Sequence, residues 1–155
     1  MSGAAYIVSA VRTPIGKFGG GLAEFTAADL GVIAVRAALE RAFGEAPKER
    51  RPGEENSEIP RPPWRTRNDL EPGKPAALRV SEVIFGNARA AGVGPNVARQ
   101  IAWRAGLGDD VPAFTVNMAC ASGLRAVMLA WQQICLGEAD IVVAGGAESD
   151  RKSVV

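Results

Sequence analysis

The 155 residues hold 47% hydrophobic and 23% charged side chains, the balance of one ordinary globular domain with enough apolar material for a core. Lys and Arg number 18 against 17 Asp and Glu, a net charge of +1 that excludes the strong field expected with a nucleic-acid or acidic-membrane partner. No apolar run approaches the ~18 residues that span a bilayer, and Met1-Ser2-Gly3 lacks the basic-then-apolar plan of a secretory signal, so a cytoplasmic location is expected.

In chain order, Ala5 to Val11 is a compact apolar, β-branched run that predicts a buried strand ending at Arg12-Thr13-Pro14. The glycine-rich stretch 16–21 is a loop. Thr26 and Asp29 have the spacing of a helix-capping pair, and a helix follows from about 27 to 43 with apolar positions at helical intervals. Residues 45–79 change character. They hold seven of the ten prolines and many mixed charges, which predicts a solvated insertion without a fold of its own. Trp64 within it reads as an isolated loop aromatic rather than a recognition anchor. Val80 to Phe85 predicts a second strand, and Asn96 an N-cap for a helix through Ala105. A third strand is expected at Ala113 to Met118, a helix from Ser122 to Leu136 stopped by Gly137, and a fourth strand at Asp140 to Ala144. Strands alternating with helices imply an α/β fold, a mostly parallel sheet covered by helices on both faces.

Two cysteines, Cys120 and Cys135, sit at either end of the last predicted helix. Fifteen residues at about 1.5 Å each separate them by about 22 Å, far beyond the roughly 7 Å between α-carbons that a disulfide allows. Histidine is absent, which removes the commonest general base and zinc ligand, and no metal site is expected. Cys120 lies in Asn117-Met118-Ala119-Cys120-Ala121-Ser122-Gly123, where a buried strand turns into a helix. The free amides at a helix start favour an anion, and a thiolate is the reacting form of cysteine. Small neighbours leave room for a substrate carbonyl. The residues alone fit a nucleophile at a strand-turn-helix and equally a small buried structural cysteine.

The segment Val116 to Val127 resembles the acyl-cysteine motif of the thiolases, the acetyl-CoA acetyltransferase and 3-ketoacyl-CoA thiolase family. Three further blocks resemble the family in the same order: Val8 to Leu22 with Arg12-Thr13-Pro14, Val83 to Gln100 with Phe85-Gly86-Asn87, and Leu136 to Ser149 with Ala144-Gly145-Gly146-Ala147-Glu148-Ser149. The resemblance implies the N-terminal half of a thiolase-like fold over residues 1–155, with the second half absent. It implies an acyltransferase working through a thioester on Cys120, whose backbone N–H helps to hold an oxyanion. Acyl-CoA and acetyl-CoA are then substrates, with no bound cofactor. The family's activating histidine, its second catalytic cysteine and most of its CoA pocket belong to the other half. Cys135, on the far end of the same helix, is expected to serve packing, and Trp131 a core or interface.

Two departures from the family pattern stand out. The insertion is longer than the usual connection, and the ending Asp150-Arg151-Lys152-Ser153-Val154-Val155 leaves the family pattern, as a truncated or frame-shifted product would. In thiolases the two halves pack helix layers against each other, so an exposed apolar face is expected, with homo-oligomerisation or complementation by a C-terminal half. The alternatives are a catalytically silent fragment acting through association and a ketoacyl-synthase-like condensing enzyme.

Overall fold

The computed structural model describes residues 4–44, 49, 80–90 and 92–150, and the insertion with Trp64 lies outside them apart from Glu49. Six elements follow one another: α1 (Ala27–Phe43), β1 (Glu82–Gly86), α2 (Val97–Arg104), β2 (Ala113–Val116), α3 (Ser122–Leu136) and β3 (Val142–Gly146). The strands form one parallel sheet in the order β2-β1-β3. Its register aligns Gly86 with both Val116 and Gly146, so all three strands end together. Among the described residues no helix is long and apolar enough to cross a membrane.

Alternation along the central strand assigns the two layers. Val83 and Phe85 point to one face, where they join Val32, Val35 and Leu39 of α1 and Val97 and Ile101 of α2 in the larger core. Ile84 points to the other face and meets Ala126 and Ala130 of α3. Both faces of the sheet are covered, as the alternation of strands and helices predicts.

Local signals explain the helix boundaries. Thr26 and Asp29 form a capping box, with the Asp29 amide donating to Thr26 Oγ1 (3.1 Å) and the Thr26 amide donating to Asp29 Oδ2 (2.6 Å). Gly44, left-handed at φ 82°, closes the far end. Asn96 caps α2 by accepting from the Arg99 amide at 3.1 Å, and Gly137 ends α3 at φ 75°.

Asp29 also receives Arg104 Nη2 at 2.6 Å, tying α1 to α2. Burial pushes its carboxyl pKa up, but the hydrogen bonds from Thr26 and the Arg104 guanidinium outweigh that and hold it below the usual value. A depressed folded-state pKa stabilises fully above the unfolded value of about 4 and loses its effect as pH falls through the folded value. Asp29→Asn is therefore expected to lower the melting temperature at neutral pH by a few degrees. The gap from wild type should close progressively below about pH 4, which a pH series of thermal melts would show.

The first predicted strand is a correction. Residues 5–11 form no strand, and Tyr6, Ile7 and Val8 are 80%, 82% and 71% exposed. The composition suits a strand, but a strand also needs an edge to pair with, and this segment stands off the free edge of β3 across an apolar cleft. The other strands are displaced from their predicted bounds by a residue or two.

A strand-end site around Cys120

Parallel strands that finish together present their loops on one edge, the place where open α/β sheets collect ligands. Here Asn87 stitches the three loops together. Its amide donates to the Val116 carbonyl (3.1 Å), and its Nδ2 donates to the Ala147 carbonyl (2.8 Å) and to Glu148 Oε1 (3.1 Å). The residue is 1% exposed, and its Oδ1 has no partner among the described residues. Glu148 in turn accepts the backbone amides of Ala88 (2.7 Å) and Arg89 (3.1 Å), so one carboxylate fixes the loop after β1.

That loop holds the turn bearing Cys120. Asn117 Nδ2 donates to the Ala88 carbonyl (3.0 Å), while its Oδ1 accepts the Ala119 amide (3.0 Å). Ala119 sits in the left-handed region at φ 49°, where a side chain costs roughly 1–2 kcal/mol. Ser122, buried at the first position of α3, accepts the Met118 amide at 2.8 Å and donates to the Ala119 carbonyl at 2.6 Å. The Ala121 and Ser122 amides complete the turn on the carbonyls of Met118 and Ala119. These bonds use the amides of Met118, Ala119, Ala121 and Ser122 and leave out that of Cys120. Cys120 itself is exposed at the head of α3.

The helix start is pressed onto the strand ends. A Cβ on Gly86 would overlap the backbone of Ser122 and Gly123, and one on Gly146 would lie 3.0 Å from Gly123 Cα. Only glycine allows the turn to come this close.

Cys135 is half-buried near the other end of α3, and neither cysteine is in a disulfide. Trp131 is 55% exposed, so within the described residues it is not part of the core. It belongs to a stripe with Leu124, Val127 and Met128 at helical spacing, all exposed, on the side of α3 away from Ala126 and Ala130. The expected apolar face is therefore present. Among the described residues no group of three or more His, Cys, Asp or Glu could hold a metal ion. Sequence reasoning singled out Cys120 and took Ser122 only as one of the small neighbours that keep the turn tight, and it assigned no role to Asn87, Asn117 or Glu148. Their spacing in the family-like motifs was the available signal, yet the bonds from Glu148 to Ala88 and Arg89 span about 60 residues and need the sheet to exist first.

Comparison with known proteins matches the thiolase N-terminal domain family to residues 5–48 and 70–152. An acetyl-CoA acetyltransferase of Cupriavidus necator is 46% identical over 143 residues, 92% of this chain but 28% of that protein. One of Candida albicans is 41% identical over 144 residues, again 93% of this chain and 28% of the relative. The structure of the Acat5 thiolase from Ascaris suum in complex with coenzyme A superposes with a TM-score of 0.68 at 30% identity, over 91% of this chain and 29% of that one. The chain thus spans under a third of the length of these relatives.

Proposed function

The chain belongs to the thiolase family, and we propose that it is the nucleophile-bearing portion of an acyltransferase in which Cys120 carries the acyl group. The observation that supports this reading most is the placement of an exposed thiol after a left-handed residue, at a helix start set on the ends of three parallel strands. In the first step the Cys120 sulfur attacks the carbonyl carbon of an acyl-CoA. The tetrahedral intermediate puts negative charge on the carbonyl oxygen, and the Cys120 amide, left out of the turn's hydrogen bonds, is one donor for it. Collapse breaks the bond to the CoA sulfur and leaves a thioester on Cys120. In the second step the acyl group passes to the enolate carbon of acetyl-CoA and the Cys120 thiolate leaves; in the degradative direction the sulfur instead attacks the 3-keto carbonyl of a 3-ketoacyl-CoA, the C2–C3 bond breaks to release acetyl-CoA, and the acyl group then passes to the CoA thiol. CoA thioesters are substrates in this scheme, and no resident cofactor takes part.

The chain contains no histidine, so the base for both steps comes from a complementing portion of the fold, which also covers the stripe of Leu124, Met128 and Trp131. The test is incubation of the purified chain with acetyl-CoA, followed by intact-mass analysis and peptide mapping. An acetyl adduct on Cys120 that disappears in Cys120→Ser supports the first step. Absence of an adduct both alone and with a complementing half would instead favour a silent domain that acts through association.

A further inference from the structure

The peptide group that joins Ala119 to Cys120 carries the amide assigned above to the oxyanion, and its carbonyl end is held by Ser122. The Ser122 hydroxyl donates to the Ala119 carbonyl at 2.6 Å, and the Ser122 amide donates to the same oxygen at 3.1 Å. A hydroxyl has one proton, and its other partner here, the Met118 amide at 2.8 Å, can only donate, so the proton belongs to the carbonyl. Ser122 is 4% exposed, which leaves little water to compete for these bonds.

The peptide bond between Ala119 and Cys120 is trans, and in a planar trans unit the N–H points opposite to the C=O. Two bonds that draw the Ala119 carbonyl onto the helix start therefore turn the Cys120 N–H away from it. Hydrogen bonds to the carbonyl also polarise the whole unit, which makes its N–H a stronger donor. The anchor is itself referenced to the sheet. A Cβ on Gly86 would overlap the Ser122 backbone, so the helix start has no room to slide toward the strand.

We propose that Ser122 is a positioning residue that aims and strengthens the Cys120 amide as an oxyanion donor. It acts through the peptide group rather than on the sulfur, and it rests on the acyltransferase reading of the site. Its effect is confined to reactions that develop charge on a carbonyl oxygen. Attack on a thioester puts negative charge there, whereas displacement of iodide from iodoacetamide does not. Both reactions consume the same thiolate, so the ratio of their rates isolates the contribution of the amide.

The test is reaction of the purified chain with S-phenyl thioacetate, in which the Cys120 sulfur attacks the carbonyl carbon and thiophenolate leaves, and separately with iodoacetamide. Peptide mapping sets Cys120 apart from Cys135 in each case. Removing an oxyanion donor costs about 10²–10³ in rate, and a donor swung out of line costs less, so Ser122→Ala is expected to slow acylation about tenfold while alkylation stays within about twofold. Ser122→Thr, which keeps the hydroxyl, should restore acylation to within about threefold of wild type. Equal falls in both rates, no fall in acylation, or no rescue by a Ser122→Thr protein that melts like wild type overturn the proposal. Amide exchange on the wild-type chain decides the matter even if a variant does not fold. The Cys120 amide should exchange about tenfold faster than those of Ala121 and Ser122, whose hydrogens are bound inside the turn, and equal protection would mean that it is held elsewhere. Neither reagent contains CoA, so an unchanged ratio counts against Ser122 alone, and the acetyl-CoA adduct reports separately on the family chemistry.

Discussion

Gly86→Ala is expected to lower the melting temperature by roughly 10 °C and to abolish acyl capture by Cys120, although residue 86 carries no reactive group. The added methyl would occupy space filled by the backbone of Ser122 and Gly123, which cannot rotate aside as a side chain can. Overpacking of a tight core costs about 1–3 kcal/mol, and an obstruction made of helix backbone belongs at the upper end. That is a large share of the 5–15 kcal/mol that separates a folded domain from its unfolded chain. Relief requires α3 to lift from the strand ends. Ser122 would move with it, and its hydroxyl holds both the Met118 amide and the Ala119 carbonyl, so the turn around Cys120 loses its shape. Gly21→Ala is the control. A Cβ there meets nothing within 4 Å, and its melting temperature should stay near wild type. A Gly86→Ala protein that melts within a degree of wild type would show that the helix start does not press on the strand.

The same glycine shows where a sequence stops being legible. Helix limits were readable because their causes are local: Thr26 with Asp29, Asn96, and Gly137 each act within a turn of their own position. The strand-turn-helix setting of Cys120 was readable because strand, turn and helix signals meet within seven residues. Gly86 and Gly146 read only as punctuation at strand ends, since their purpose appears when α3 packs back across them. Residues 5–11 failed for a related reason. Hydrophobicity reports what a segment would bury, whereas pairing depends on a neighbour, and no strand among the described residues stands next to it. An exposed apolar face was foreseen through the family's layered packing, but not its residues Leu124, Met128 and Trp131, because helical spacing alone does not reveal which of two apolar faces meets the sheet.

Asn117→Ala is expected to loosen the turn around Cys120 while leaving the sheet in place. The Asn117 side chain is the one bridge between the Ala119 amide and the Ala88 carbonyl, and Ala88 is itself fixed by Glu148. Ala119 has reason to leave the left-handed region, because φ 49° disfavours any residue with a Cβ. What keeps it there is the set of bonds on either side: Asn117 on its amide and Ser122 on its carbonyl. Removing the amide's acceptor costs about 1–3 kcal/mol locally. At 1.4 kcal/mol per factor of ten, amide exchange at Ala119, Ala121 and Ser122 should quicken between about fivefold and a hundredfold. Exchange at Val83 to Phe85 should change little, since those amides lie within the ladder. Acyl capture by Cys120 should fall with the loosening of its turn, and Asn117→Asp, which keeps the acceptor for Ala119 but loses the donor to Ala88, should lie between alanine and wild type. If Asn117→Ala left both the local exchange and the rate of acyl capture unchanged, Ser122 alone would be sufficient to hold the elbow, and the chain of contacts from Glu148 through Ala88 to Asn117 would have no part in presenting the thiol.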